Sequence, residues 1–546
     1  MAPTGAPMQP LELRQPASPS DVTELRLPNG LLVRFLVLPA SPDSGPARAG
    51  MRLTVPGGRA ADLMEGRPGA SEAMLLTLDG AGVGQWSREE VQLYRCLNSV
   101  STELRSTADV LELDVHFAPS ASSCRAALEW LHWALKEPKL DLSGFTDAQL
   151  RMKGNANARE KSLEGRAVQE LLEGMYPSAP WLAEAHVQEV NRLTLGLAKR
   201  AGQSQLSSVD GLELDIAVCV APRSGSAASL VQQHEGASAA EQTEEVSEMR
   251  RTLEREVGRC LGSLPAAPVG VARPAPPSPS ASSRGFERRV HVPDKEARAL
   301  VVIGGTAPGY WGCGDSVWQT TTRHQNFSWG PRAAEHPLYP ARATELMAEC
   351  LSTRLLGRVR DQLSLTYNCE IELTMYEGFP AGHFMCKVFS FPEKLHQAAA
   401  ATMEVLRSPD WLPFTDREIE ASKRVMAYRE GRSRREDRSY WLGRLKPLPG
   451  SQGGSGLPPG DRPAEEDKLL ESLGAEDVQL AWRAFGGLDD PFVVLATSGP
   501  PQVAAMLPPT AVVSRSDLPA AVAAERAAAA AAAPRAGGGA SMSFLD

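Results

Sequence analysis

A hydrolytic metal site needs neutral imidazoles or carboxylates converging on one ion, with a position left open for water. The chain has nine histidines: His116, His132, His186, His234, His291, His324, His336, His383 and His396. No two stand four residues apart, and neither HExxH nor HxxEH occurs, so no helix presents paired imidazoles on one face. His132 shares a helical face with Arg125, Glu129 and Lys136 and reads as solvated, whereas His116 and His383 fall on strand-like runs. Serine chemistry fares no better. Gly314-Asp315-Ser316-Val317-Trp318 approaches the nucleophile elbow GxSxG, but tryptophan replaces the glycine that closes the sharp turn. Gly80-Ala81-Gly82-Val83-Gly84 follows a helical run, not a strand, and reads as a helix-ending turn, not a phosphate loop.

Composition narrows the remaining classes. The 57 basic and 66 acidic residues give a net charge of -9, against a general nucleic-acid binder that must neutralise phosphates. Arg429, Arg432, Arg434 and Arg435 cluster, but Glu430, Glu436 and Asp437 interrupt them, as on a solvated helix face. The eight cysteines form no CxxC pair, which leaves no zinc ribbon or redox motif, and most lie in apolar stretches as small core residues of a reducing compartment. No apolar run reaches the ~20 residues that span a bilayer. The Pro-rich start lacks a signal-peptide core. Cytosol, plastid and mitochondrion all remain open as compartments.

The elements that would position any site fall into two patterned regions. Residues 1–22 are Pro/Ser-rich and read as unstructured; 23–268 form a first α+β domain with a low-complexity insertion at 223–243. A Pro/Ser-rich linker at 269–284 leads to a second α+β domain at 285–507, and 508–546 is an Ala/Gly-rich tail. An echo crosses the linker. FTDAQL begins at Phe145 and FTDREI at Phe414, an offset of 269 residues, and Thr146/Gln149 and Thr415/Glu418 both read as capping boxes. Upstream of the first copy, Leu111, Leu113, Val115 and Phe117 alternate with polar residues as in a half-buried strand, and GHFMCKVFS is its counterpart. A helix follows each strand. The expectation is two related domains, each an antiparallel sheet covered by helices.

Longer stretches carry a resemblance. LPNGLLVRFLVLPA from Leu27, MRLTVPGG from Met51, and ELMAECLSTRLLGRVRDQLSLTYNCEIEL from Glu345 resemble the pitrilysin/insulinase family of zinc peptidases over most of residues 22–505. GVGQWSREEVQLY from Gly82 and SYWLGRL from Ser439 resemble the metal-free second half of its long tandem, PqqL-type bacterial and plant members. Active members carry HxxEH and a later glutamate. Here the matching helix is GASEAMLLTL: if Glu72 aligns with the general base, Gly69 and Ala73 occupy the ligand positions, and Glu160 matches the distal glutamate. The resemblance therefore implies vestigial positions at Glu72 and Glu160, no metal in this chain, and zinc in a separate catalytic half. It also implies a substrate-holding pair seven residues apart, Arg360 and Tyr367, and a peptide or polypeptide as the bound partner. The expected function is a catalytically silent half that encloses or binds peptide for a zinc-bearing half. Two alternatives stand beside it: an active metallopeptidase with an atypical site built from Glu72, Glu160 and a distant histidine, and a structural core subunit of a larger complex.

Overall fold

The computed structural model describes residues 12–14, 22–40, 46–64, 67–221, 239–266, 278–282, 284–311, 329, 332–446, 462–484 and 490–504. The elbow-like string at 314–318, the tail, and most of the expected insertion and linker lie outside them.

Alternating apolar residues build the strands. Leu111, Leu113, Val115 and Phe117 are buried on β6 (Val110–Phe117). On its other face Asp114 and Glu112 meet Arg52 of the adjoining β4 (Arg48–Pro56) at 2.7 and 3.0 Å. β1 (Glu12–Arg14), β2 (Thr23–Arg26), β3 (Leu32–Pro39), β5 (Val100–Ser106) and β7 (Glu213–Val220) complete a seven-stranded sheet in the order β1-β2-β3-β7-β4-β6-β5. β1 lies within the segment expected to be unstructured; it pairs antiparallel with β2 at the sheet edge. A second sheet contains β8 (Phe286–Pro293), β9 (Arg298–Ala307), β10 (Asn368–Met375), β11 (Gly382–Ser390) and β12 (Phe492–Gly499), in the order β10-β11-β9-β12-β8.

The two sheets repeat one topology. β3-β7-β4-β6-β5 corresponds strand for strand to β8-β12-β9-β11-β10, and each contains a single parallel pair, β3 with β7 and β8 with β12. The remaining pairs are antiparallel, so the expected all-antiparallel sheets each carry one parallel exception. The amide of Gly378 donates to Asp109 Oδ2 at 2.7 Å, and these residues stand 269 apart.

In the first repeat the helices are α1 (Gly58–Met64), α2 (Ala70–Asp79), α3 (Arg88–Leu97), α4 (Ala121–Lys136), α5 (Leu142–Lys161), α6 (Leu163–Met175), α7 (Val187–Arg192), α8 (Leu195–Leu206) and α9 (Ala239–Leu261). In the second they are α10 (Arg332–Glu335), α11 (Tyr339–Leu355), α12 (Leu395–Arg407), α13 (Asp416–Glu436), α14 (Arg462–Ser472), α15 (Ala475–Ala484) and α16 (Pro501–Ala504). α6 carries an apolar stripe of Leu163, Ala167, Leu171 and Met175, spaced by four. It buries that stripe against Leu300, Val302 and Val494 of the second sheet, not against its own. In return, the turn at 442–444 packs on β4 and β7 of the first sheet, and Ser439 Oγ donates to Asp114. Each repeat thus supplies cover for the other, and apolar burial ties the two together.

Two local expectations are corrected. α5 begins at Leu142, with Asp141 as its cap accepting from the Gly144 amide at 2.7 Å. Thr146 is therefore inside the helix, donating back to the Leu142 carbonyl, and forms no capping box with Gln149. Thr415 and Glu418 do form one at the start of α13. His132 is fully buried, because α9 lies over the polar face of α4: Cys260 O meets His132 Nδ1, and Arg259 pairs with Glu129 at 2.9 Å.

Candidate functional site

Gly69 precedes α2 with φ +85, a left-handed conformation that glycine adopts without steric cost. A Cβ added there would lie 3.2 Å from both Ala185 Cβ and Met152 Cε. Ala73, one turn on, is fully buried in the apolar core. At the two positions that would carry imidazole ligands, the chain has small residues packed by hydrocarbon, and the donor set does not fit zinc.

Glu72 and Glu160 have separate surroundings. Burial and the charge of Glu184 push the Glu72 carboxyl up from its ordinary value, with Arg59 and Arg159 acting the other way. Burial also works against ionised Glu160, but the Val187 amide at 3.0 Å and His186 Nδ1 at 3.3 Å outweigh it and hold its pKa down. His186 lies between two carboxylates: Nε2 stands 2.7 Å from Glu173. The carboxylates engage opposite ring nitrogens, so the imidazole bridges them and does not share one metal vertex with both. Among the described residues, the group whose carboxylates converge closely is Glu164, Glu370 and Glu372. Lys387 Nζ already occupies its centre, 2.6 Å from Glu164 and from Glu372. His186 escaped sequence reasoning because its carboxylates come from 26 and 13 residues away, a distance that no helical spacing marks.

Arg360 and Tyr367 lie at the open edge of the second sheet. α11 continues into a π-helical turn, Leu356–Gln362, which carries Arg360; such turns recur at functional sites. Arg360 Nε donates to Asp361 at 2.8 Å, and its side chain is 45 % exposed. Tyr367, 59 % exposed, precedes the edge strand β10, with its ring 5.8 Å from that of Phe389. Between them Ser364 has φ +51; its counterpart before β5 is Ser99 at φ +54. These are the two non-glycine residues with left-handed backbone among those described, and each lies in the turn feeding the edge strand of its sheet. Both side chains are exposed.

No protein-family model matches the sequence. In a match of 491 aligned positions that covers 84% of the chain, it is 26% identical to the chloroplastic stromal processing peptidase of Pisum sativum, and in one of 492 positions 25% identical to that of Arabidopsis thaliana. The match spans only 35% of each relative's length. Among solved structures, a peptidase M16 inactive domain from Pseudomonas fluorescens superposes with a TM-score of 0.64 at 15% identity, covering 88% of this chain and 98% of that one. The periplasmic protease PqqL of Escherichia coli gives 0.63 at 14% identity, over 92% of this chain and 47% of its own. These two establish the fold, and the plant relatives carry the likeness in sequence. No helix among the described residues is long and apolar enough to cross a membrane. In fold the chain resembles an M16 peptidase inactive domain, and in sequence it resembles the stromal processing peptidases, in keeping with the likeness to the pitrilysin/insulinase family.

Proposed function

We propose that the chain is a catalytically silent peptidase half, which binds or encloses a polypeptide while a zinc-bearing half cuts it. The observation that carries this reading is the packing at Gly69 and Ala73, on a fold that matches an inactive M16 domain over nearly its whole length. The curated relatives are peptidases with most of their length outside the match, which leaves room for the catalytic part. Zinc belongs to that partner half. Because those relatives are chloroplast proteins, the plastid is the compartment this reading favours.

Arg360 and Tyr367 hold the peptide backbone: the guanidinium donates to peptide carbonyls, and the phenol offers a hydroxyl and a flat face. The test is fluorescence anisotropy of a labelled, unstructured peptide with the purified chain. The Arg360→Ala, Tyr367→Ala double variant should weaken binding by about tenfold, with thermal stability unchanged because both side chains are exposed. Wild-type affinity in that variant removes the clamp. No peptide affinity in the parent chain would favour the structural-subunit alternative.

A further inference from the structure

α13 and α5 are corresponding helices of 21 and 20 residues, but they sit differently on their repeats. α5 buries residues along its length, from Gly144 and Phe145 through Ala148 and Met152 to Ala156. α13 buries Ile419 and Ser422 in its first two turns and no residue after them. The rest of the helix, 423–436, runs along the surface between two grooves, one lined by Met426 and Ser433 and the other by Ala427 and Gly431. A helix in a folded chain is ordinarily held by an apolar face packed on a neighbour.

The solvent side of α13 carries an ordered stripe. Arg417, Ala421, Arg424, Tyr428, Gly431 and Arg435 follow at alternating steps of four and three, the spacing that keeps one face of a helix toward a second helix. Gly431 is half-buried and the others are exposed, Tyr428 by 68 %. A Cβ added at Gly431 would meet only Arg435 Nη1 within 4 Å, at 3.6 Å, so the stripe is shallow there. Neighbouring cations are answered from within the chain: Lys423 by Glu420 at 2.9 Å, Arg432 by Glu436 at 2.7 Å, Arg434 by Asp467 at 3.5 Å, and Arg429 by Glu349. The side chains of Arg417, Arg424 and Arg435 have no ion pair or hydrogen bond among the described residues. No carboxylate interrupts the stripe, although the chain as a whole carries a net charge of -9.

We infer that this stripe docks an acidic helix of a partner polypeptide. Carboxylates of that helix meet the three arginines, an apolar side chain covers Tyr428 and Val425, and the small residues at 421 and 431 let the two backbones approach. Two other polyanions fit less well. A nucleic acid would run beyond a stripe of about 27 Å and meet the acidic remainder of the chain. A helix lying in a bilayer surface needs a broad apolar face, and the large exposed apolar residues of α13 are Val425 and Tyr428 alone. The stripe shares no residue with Arg360 and Tyr367, so it stands or falls apart from the peptide clamp.

The test measures, by fluorescence anisotropy on the full chain, two labelled, N-acetylated, C-amidated peptides. One is three repeats of Glu-Ala-Ala-Leu-Glu-Ala-Ala; the other has glutamine for every glutamate. The acidic peptide should bind at least about tenfold more tightly at low salt, and about 0.5 M NaCl should narrow that gap. Arg424→Gln with Arg435→Gln should abolish the gap and leave the thermal midpoint unchanged, because both side chains are exposed. Arg192→Gln with Arg200→Gln removes the same charge from exposed positions of the first repeat and should retain the gap, as should Arg360→Ala with Tyr367→Ala. Equal affinities, no binding of either peptide, survival of the gap without Arg424 and Arg435, or its loss without Arg192 and Arg200 would overturn the assignment. Displacement of the acidic peptide by oligo(dT) or by phosphatidylglycerol vesicles as effectively as by unlabelled peptide would overturn it too, in favour of a nucleic-acid or membrane surface.

Discussion

Phe145-Thr146-Asp147 and Phe414-Thr415-Asp416 are the same three residues at corresponding places in the two repeats, yet they do different work. In the second repeat Thr415 caps α13, and Glu418 closes the box and takes two bonds from Arg354, at 2.8 and 3.0 Å. In the first repeat the helix starts a turn earlier at Asp141, and Gln149 instead donates to the carbonyls of Val190 and Leu193. The difference lies upstream. Leu412 precedes Pro413, and a residue before proline is pushed out of the α region, so α13 cannot begin at Trp411, the position that corresponds to Leu142. No proline restrains Leu142-Ser143-Gly144. A repeat keeps its topology through its apolar pattern, while short polar motifs inside it are free to change role.

The largest effect should come from the exchange between repeats. Leu171 on α6 is fully buried and presses on Gly304 of the second sheet, where an added Cβ would lie 2.7 Å from Leu171 Cδ2. Leu171→Ala should cost about 2–5 kcal/mol, read as a lower urea midpoint. A loss below about 1 kcal/mol would mean that Leu171 is not packed against the second sheet.

Gln149→Glu comes next. It imitates the second repeat, but turns a carboxylate toward two carbonyls and removes their donor. Urea titration should show a loss of about 1–3 kcal/mol. A neutral or stabilising result would restore the capping box at Thr146.

Glu418 gives the smallest effect and a pH signature. Burial disfavours its charge, but Arg354 and Thr415 outweigh this and hold its pKa down to about 2, against an ordinary 4.5. A carboxylate whose folded pKa is depressed contributes stability above pH 4.5 and loses it as pH falls toward 2. Glu418→Gln should cost about 1 kcal/mol at neutral pH and flatten that part of the stability profile. Denaturant melts at pH 7 and pH 3 would show it.

The strands were legible because burial on one face leaves a period-2 trace, as at Leu111 to Phe117. The apolar residues of α6 recur every four positions, but amphipathicity reveals only that a face is covered and not which sheet covers it. The same blindness misplaced His132: its polar neighbours Glu129 and Lys136 suggested water, whereas α9 brings polar partners of its own. At the candidate site, the missing imidazoles were plain from Gly69 and Ala73 alone. The hydrocarbon packed around Gly69 and the His186 bridge both depend on the chain turning back after α6, which leaves no mark in local spacing.

The central claim is that this half does no cutting of its own. The most direct measurement is hydrolysis of a mixed quenched-fluorescent peptide library by the purified chain, with and without a chelator, alongside its zinc content. The account predicts no cleavage above background and no stoichiometric zinc. Chelator-sensitive cleavage that copurifies with the chain, and falls when Glu72 or Glu160 is changed to glutamine, would contradict it.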